Sequence, residues 1–208
     1  MKTLIEVGAY DGSDSLNYHN KGYVVYTFEP KKDLFENLVN RTKHLKNYTV
    51  IPKAVSLVNG NTQFNICKSG GASSILAFRS DEELIKNWTI NRTDILYSGV
   101  SYTVETTRLD TFIEENNLQN NIIDFLHIDA QGVDLDCLKS LGVYIKNVLA
   151  GVIETVIDKN KSIYVGQDDN TLNNVQDFLV QNGFKIKDIK SNDNTNCEYN
   201  VYFEKMTI

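Results

Sequence analysis

Short runs of aliphatic, β-branched and aromatic residues alternate with amphipathic stretches along nearly the whole chain, and this alternation constrains the fold more than any other feature. Leu4-Ile5-Glu6-Val7 ends at Gly8, which reads as a buried strand entering a glycine-containing turn. A weak helix is expected near Ser13 to Lys21, stopped by Gly22. Tyr23–Phe28 is a second strand that ends at Glu29-Pro30. Leu34, Phe35, Leu38 and Val39 then recur at helical spacing. Tyr48–Ile51 is a third strand, and Val55–Ile66 reads as a hairpin turning at Asn59-Gly60. Tyr102–Thr106, Ile122–Ile128, Val148–Ile157, Phe184–Ile189 and Tyr199–Phe203 are further strands. Helices carry Leu109, Phe112 and Ile113, then Leu135, Leu138 and Leu141, then Leu172, Val175, Phe178 and Leu179. Such alternation predicts an α/β fold, a mostly parallel sheet with helices on both faces.

Length and charge narrow the options. At 208 residues, without repeats or a Pro-rich linker, the chain fits one domain over 1–208. The net charge of −6 and the lack of a basic stripe argue against nucleic acid as a partner. Cys67, Cys137 and Cys197 are widely spaced, and His19, His44 and His127 form no ligand motif, so no metal is expected. A reducing, cytoplasmic location fits this cysteine usage. The first residues meet Glu6 before any long apolar run forms, so neither a signal peptide nor a membrane span is expected.

Ligands of open α/β sheets sit beyond the carboxyl ends of the strands. There the chain places Gly8-Ala9-Tyr10-Asp11-Gly12-Ser13 after the first strand, Glu29 after the second, and Asp129 and Glu154 after later ones. Gly8 lets backbone approach a ligand, and Gly12 lets the next helix pack on the strand. Glu29 sits where a ribose would present two hydroxyls to a carboxylate. The turn is G-x-x-x-G and carries Asp11, so it lacks the glycine that admits a pyrophosphate and adds a charge that repels one. An adenosine with an amino-acid tail suits it better than NAD.

Ile5–Gly12, Phe28-Glu29-Pro30, Lys53–Ser56, Thr106–Asp110 and Asp124–Gly132 occur in that order. The set resembles the FkbM-type family of class I S-adenosylmethionine-dependent methyltransferases over nearly the whole chain. The resemblance implies a Rossmann-like seven-stranded sheet with its last strand antiparallel, and S-adenosyl-L-methionine as cofactor. It also implies that Glu6, Gly8, Ala9, Tyr10, Asp11, Gly12 and Ser13 surround the methionine half and that Glu29 holds the ribose beside Pro30. Ala54 and Val55 would border the adenine, Ser73 and Ser74 would form a small-residue loop nearby, and Asp129, Ala130 and Gln131 would lie where sulfonium and acceptor meet. Two positions depart from the family pattern: His127 replaces its usual Lys, and Gln131 its usual Glu. The second change removes a candidate base: either Asp129 or Glu154 takes that role, or the acceptor needs little deprotonation, or activity is reduced.

The expected reaction is methyl transfer to a small acceptor, foremost a hydroxyl of a sugar or glycoside. An amine acceptor is the nearest alternative, followed by a nicotinamide-dependent reductase or a cofactor-binding, non-catalytic relative. Residues 67–100 are expected to form an acceptor-side insertion or lid, a role another subunit of a homo-oligomer could share. His127 reads as a structural histidine, Glu154 equally as a site residue or a buried structural partner, Cys137 as packing, and Trp88, Tyr97 and Tyr102 as core or surface.

Overall fold

The first strand of the chain lies at the centre of its sheet. In the computed structural model, which describes residues 1–80, 82, 95–192 and 196–206, β1 (Lys2–Val7) pairs in parallel with β2 (Tyr23–Phe28) on one side and β7 (Phe125–Ile128) on the other. Val7 is in register with both Phe28 and Ile128, so the residues that follow these three strands emerge at one level of one sheet edge. The full order is β3-β2-β1-β7-β8-β10-β9, with β3 at Tyr48–Ile51, β8 at Ala150–Val156, β9 at Phe184–Ser191 and β10 at Glu198–Lys205. The last strand, β10, is antiparallel to both its neighbours. Strand order reverses between β1 and β7, the position where open α/β sheets leave a crevice.

Helices α1 (Ser13–Asn20), α2 (Lys32–Thr42), α3 (Leu109–Glu115), α4 (Asp134–Lys139) and α5 (Leu172–Gln181) connect the strands. The main core joins Ile5, Val7, Leu126, Ile128 and Ile153 of the sheet to Leu109, Ile113, Leu135, Leu138, Val175 and Leu179 of the helices. These are the apolar positions whose spacing marks strands and helices in the sequence. Two glycines are required by close approach. Gly8 has φ 87°, and a Cβ on it would stand 1.9 Å from the Asp129 carbonyl oxygen; Gly12 has φ 73°, and its Cβ would meet Leu38 Cδ1 at 2.4 Å.

Two expectations are corrected. Residues 55–66 do not form a hairpin. Instead β4 (Ala54–Val55) and β5 (Gly60–Cys67) flank the long β6 (Tyr97–Thr107) in a second sheet of order β4-β6-β5. The chain bends at residues 57–59, where Asn59 Oδ1 accepts the Arg108 N–H and Ser56 N–H donates to the Thr107 carbonyl. The bend is thereby tied to β6, which has backbone groups to offer on both edges. The strand expected at 122–128 also starts later, at Phe125, since Ile123 makes only an isolated bridge to Val148 and Ile122 is 49% exposed. Of the segment 67–100, residues 67–80 fold over the sheet edge and 97–100 belong to β6, whereas Trp88 lies outside the described residues. No helix among the described residues is long and apolar enough to cross a membrane.

Candidate functional site

A cavity opens beyond the carboxyl ends of β1, β2 and β7. Its walls differ in chemistry. Phe28, Ala54, Val55, Phe64, Ile75 and Val133 form an apolar side, Gly8, Tyr10, Glu29 and Pro30 a second, and Asp129, Ala130 and Gln131 a third. Gly70, Gly71 and Ser73 close over it, and Lys53 stands at its edge in an ion pair with Glu105.

Glu29 is only 4% exposed. Its Oε2 accepts the Tyr10 N–H and its Oε1 the Lys31 N–H, each at 2.8 Å. Burial pushes its carboxyl up to about 7, although both backbone donors pull the other way. Each oxygen has one lone pair left, which suits a pair of vicinal hydroxyls. The first of these contacts holds Tyr10 in the left-handed region, φ 48°. Tyr10 is 46% exposed, and its ring rests on Gly71, where a Cβ would be 3.5 Å from the ring.

Across the cavity lies a polar network. Gln131 Nε2 donates to Asp129 Oδ1 (2.7 Å) and to Glu154 Oε2 (3.0 Å), and Gln131 Oε1 accepts from the Tyr164 hydroxyl at 2.8 Å. Asn192 Nδ2 donates to Glu154 Oε1. Asp134, fully buried, accepts the N–H groups of Ala130 and Gly132 and the Asn170 side-chain amide, which fixes the loop after β7. Burial, then the Asp129 charge, pushes Asp134 up to about 7 and Glu154 well above the usual carboxylate range. Among the described residues no Lys, Arg or His forms an ion pair with Asp129, Asp134 or Glu154. Oxygens of these three could converge on a cation, as could Glu6, Asp14 and His127 below them, but Asp134 already accepts three N–H bonds.

Residues 67–74 form a strap over the cavity. The Gly70 and Ala72 N–H groups both donate to Cys67 Sγ at 3.1 Å, and the Cys67 N–H donates to Ser73 Oγ. Further along, Val165 N–H donates to the Ala77 carbonyl and Arg79 N–H to the Ile163 carbonyl. This pairing brings Tyr164, 1% exposed, against the Ala72 carbonyl (2.7 Å) and Gln131.

Of the residues singled out in the sequence, Gly8, Tyr10, Glu29, Pro30, Ala54, Val55, Ser73, Asp129, Ala130 and Gln131 share the cavity, and the others stand behind it. Glu6 is 1% exposed, with one oxygen taken by the Thr27 hydroxyl and the other 3.5 Å from His127 Nδ1. Burial alone would lower His127, but Glu6 beside it holds its pKa above the ordinary value. Ala9 and Gly12 close the turn through Gly12 N–H to the Ala9 carbonyl, and the Ser13 N–H donates to Asp11 Oδ1. Ser74 is fully buried and donates to the Gln131 carbonyl at 2.7 Å. Glu154 lies directly beside Asp129, their oxygens within 4.8 Å, and Gln131 bridges the two. Sequence reasoning missed Phe28 and Lys53, whose signal was adjacency to Glu29 and Ala54. It also missed Phe64, Asp134 and Tyr164, which no spacing connects to the site.

Residues 6–186 match the methyltransferase FkbM domain. Among solved structures, Aeropyrum pernix fibrillarin with natively bound S-adenosyl-L-methionine superposes with a TM-score of 0.52 at 11% identity, over 97% of this chain and 65% of that one. WbdD, crystallised with the kinase inhibitor LY294002, gives 0.52 at 8% identity, over 98% of this chain and 35% of that one. The chain therefore spans less than two thirds of either structure, and at these identities the likeness is one of fold. No curated protein sequence matches it. The match over most of the chain sets aside the nicotinamide reductase, and the sheet order with its antiparallel β10 agrees. The chain belongs to the FkbM family of S-adenosylmethionine-dependent methyltransferases.

Proposed function

We propose that the protein methylates a hydroxyl of a small neutral acceptor, in the first instance a sugar or glycoside, with Asp129 as the base. The observation that carries this reading is the juxtaposition, in one cavity, of the ribose-type acid Glu29 and of Asp129, whose cluster has no cationic partner among the described residues. Buried carboxylates without a counter-charge are costly, and a bound sulfonium would supply one.

S-adenosylmethionine, when bound, supplies a methyl group already activated by its bond to a sulfonium sulfur. The chain's residues do the rest. Glu29 accepts the ribose hydroxyls with its two free lone pairs, beside Pro30. Phe28, Ala54, Val55 and Phe64 give the adenine an apolar slot. Gly8 and Tyr10 border the methionine half, with Glu6, Ala9, Asp11, Gly12 and Ser13 holding that wall from behind, and Ser74 holds the Gln131 carbonyl on the facing wall. Asp129 would accept the hydroxyl proton of the acceptor as that oxygen takes up the methyl group, so that the protonated carboxyl balances the positive charge the cofactor gives up. Glu154 and Gln131 orient Asp129. In-line alignment supplies up to about 7–11 kcal/mol of the barrier reduction in such transfers. Residues 67–80, with Tyr164, form the acceptor-side lid.

An amine acceptor is the second reading, favoured by the same carboxylates, which would attract an ammonium. The test is calorimetric titration with S-adenosylhomocysteine, then turnover with methyl-deuterated S-adenosylmethionine across hydroxyl-only and amino-sugar acceptors, read by product mass. Absence of binding at millimolar ligand would sink the site assignment. Labelling of amines alone would replace the hydroxyl reading, and binding without turnover on any acceptor would favour a non-catalytic relative.

A further inference from the structure

Gln131 is held more tightly than its place in a loop requires. Its backbone is left-handed (φ 56°), a conformation unusual for a side-chain-bearing residue, and its carbonyl accepts from the buried Ser74 hydroxyl. Its side-chain amide is fully engaged, with Nε2 between Asp129 Oδ1 and Glu154 Oε2 and Oε1 at the Tyr164 hydroxyl. That orientation gives each of the two carboxylates an N–H. The flipped amide would turn its oxygen onto two carboxylate oxygens. The single hydroxyl proton of Tyr164 is shared between Gln131 Oε1 and the Ala72 carbonyl of the strap.

We propose that Gln131 is a positioning residue that holds the Asp129 carboxyl group opposite the sulfonium, and so makes the site prefer S-adenosylmethionine to S-adenosylhomocysteine. The inference rests on the cofactor placement proposed above. Three carboxyl groups, Asp129, Asp134 and Glu154, have oxygens within 4.8 Å of one another. Asp134 and Glu154 are buried at 0% and 2% exposure, and Asp129 is the member that lines the cavity. An amide at position 131 can give both carboxylates an N–H, whereas a glutamate there would bring a fourth carboxyl and at most one proton. The two ligands differ by a methyl group and one positive charge, so their affinity ratio reads the charge opposite the sulfur.

The experiment is calorimetric measurement of both dissociation constants at pH 8 for the wild type, Q131M, Y164F, D129N and the Q131M/D129N double variant. Methionine keeps the volume of Gln131 and removes its three hydrogen bonds. Expected is a wild-type preference for S-adenosylmethionine of about tenfold or more, which one charge contact of about 1.4 kcal/mol produces. That preference should fall to within about threefold in Q131M and in D129N, with no further fall in the double variant. Y164F, which frees the amide to flip, should lower it in the same direction and carries the test if Q131M does not fold. Equal weakening of both ligands in Q131M, or an unchanged ratio in Y164F, overturns the proposal, as does a wild type that binds both ligands alike. A wild type that binds neither refutes instead the cofactor placement on which it rests.

Discussion

Replacing Glu29 with glutamine should raise the stability of the free protein at alkaline pH while weakening its hold on the cofactor. In the folded chain burial lifts this carboxyl from 4.5 to about 7. The folded state therefore binds more protons than the unfolded state between those values, and stability falls as pH rises through that window. At about 1.4 kcal/mol per pH unit the ionised group costs about 3 kcal/mol by pH 8, a cost absent below pH 4.5. Glutamine carries no charge, but its NH2 cannot accept the second of the N–H bonds from Tyr10 and Lys31, a loss of about 1 kcal/mol. E29Q should thus be about 2 kcal/mol more stable than wild type at pH 8 and about 1 kcal/mol less stable at pH 4.5, measured by urea unfolding at the two pH values. Its affinity for S-adenosylhomocysteine should fall by about 10- to 100-fold, because one carbonyl oxygen replaces a carboxylate facing two hydroxyls. Between pH 6 and 7 the wild type should also release a proton on binding, visible as a dependence of the heat on buffer ionisation enthalpy, and E29Q should not. A stability difference that does not change sign with pH, or undiminished affinity, would show that Glu29 neither bears a buried charge nor meets the ribose.

Three further outcomes follow from the same geometry. D129N should lose about 10²- to 10⁴-fold in transfer rate, the range of a lost general base, while binding S-adenosylhomocysteine within a few-fold of wild type; single-turnover assay and titration together check it. C67A removes the sulfur that accepts the Gly70 and Ala72 N–H groups, so the strap should open more easily and ligand dissociation should quicken by about tenfold in stopped flow. C67S, which still accepts, should recover much of that loss. G8A should not yield a native fold, since its Cβ would stand 1.9 Å from a backbone oxygen at φ 87°; circular dichroism and thermal melting decide this.

What the sequence made legible is what repeats or what sits next to a break. Leu4–Val7, Tyr23–Phe28 and Phe125–Ile128 are apolar runs with a period the eye can follow, and each is punctuated by a residue unsuited to a buried strand: Gly8, Glu29 and Asp129. Because β1 and β7 are parallel and in register, those three punctuation marks fall side by side, and half of the cavity could be placed from the chain alone. The pairing of β6 was hidden because Asn59-Gly60 gives the same local signal whether the strand it leads into pairs with its predecessor or with one about forty residues downstream. Register between distant strands depends on which backbone edges remain free, and no window of residues contains that.

The other half of the site failed to show for a different reason. Tyr164 and Asp134 act through hydrogen bonds whose partners are 33 and 4 residues away, in a loop whose shape is set by Gly132 (φ 104°) and by Gln131 itself. Gln131 looked in the sequence like a lost carboxylate, a subtraction from the chemistry. Folded between Asp129 and Glu154, with Tyr164 at its oxygen, it supplies both N–H donors that two adjacent acids require to lie side by side. A residue type carries one meaning when its neighbours are unknown and another when two anions face it, because a neutral donor between like charges relieves a repulsion that a third carboxylate would increase.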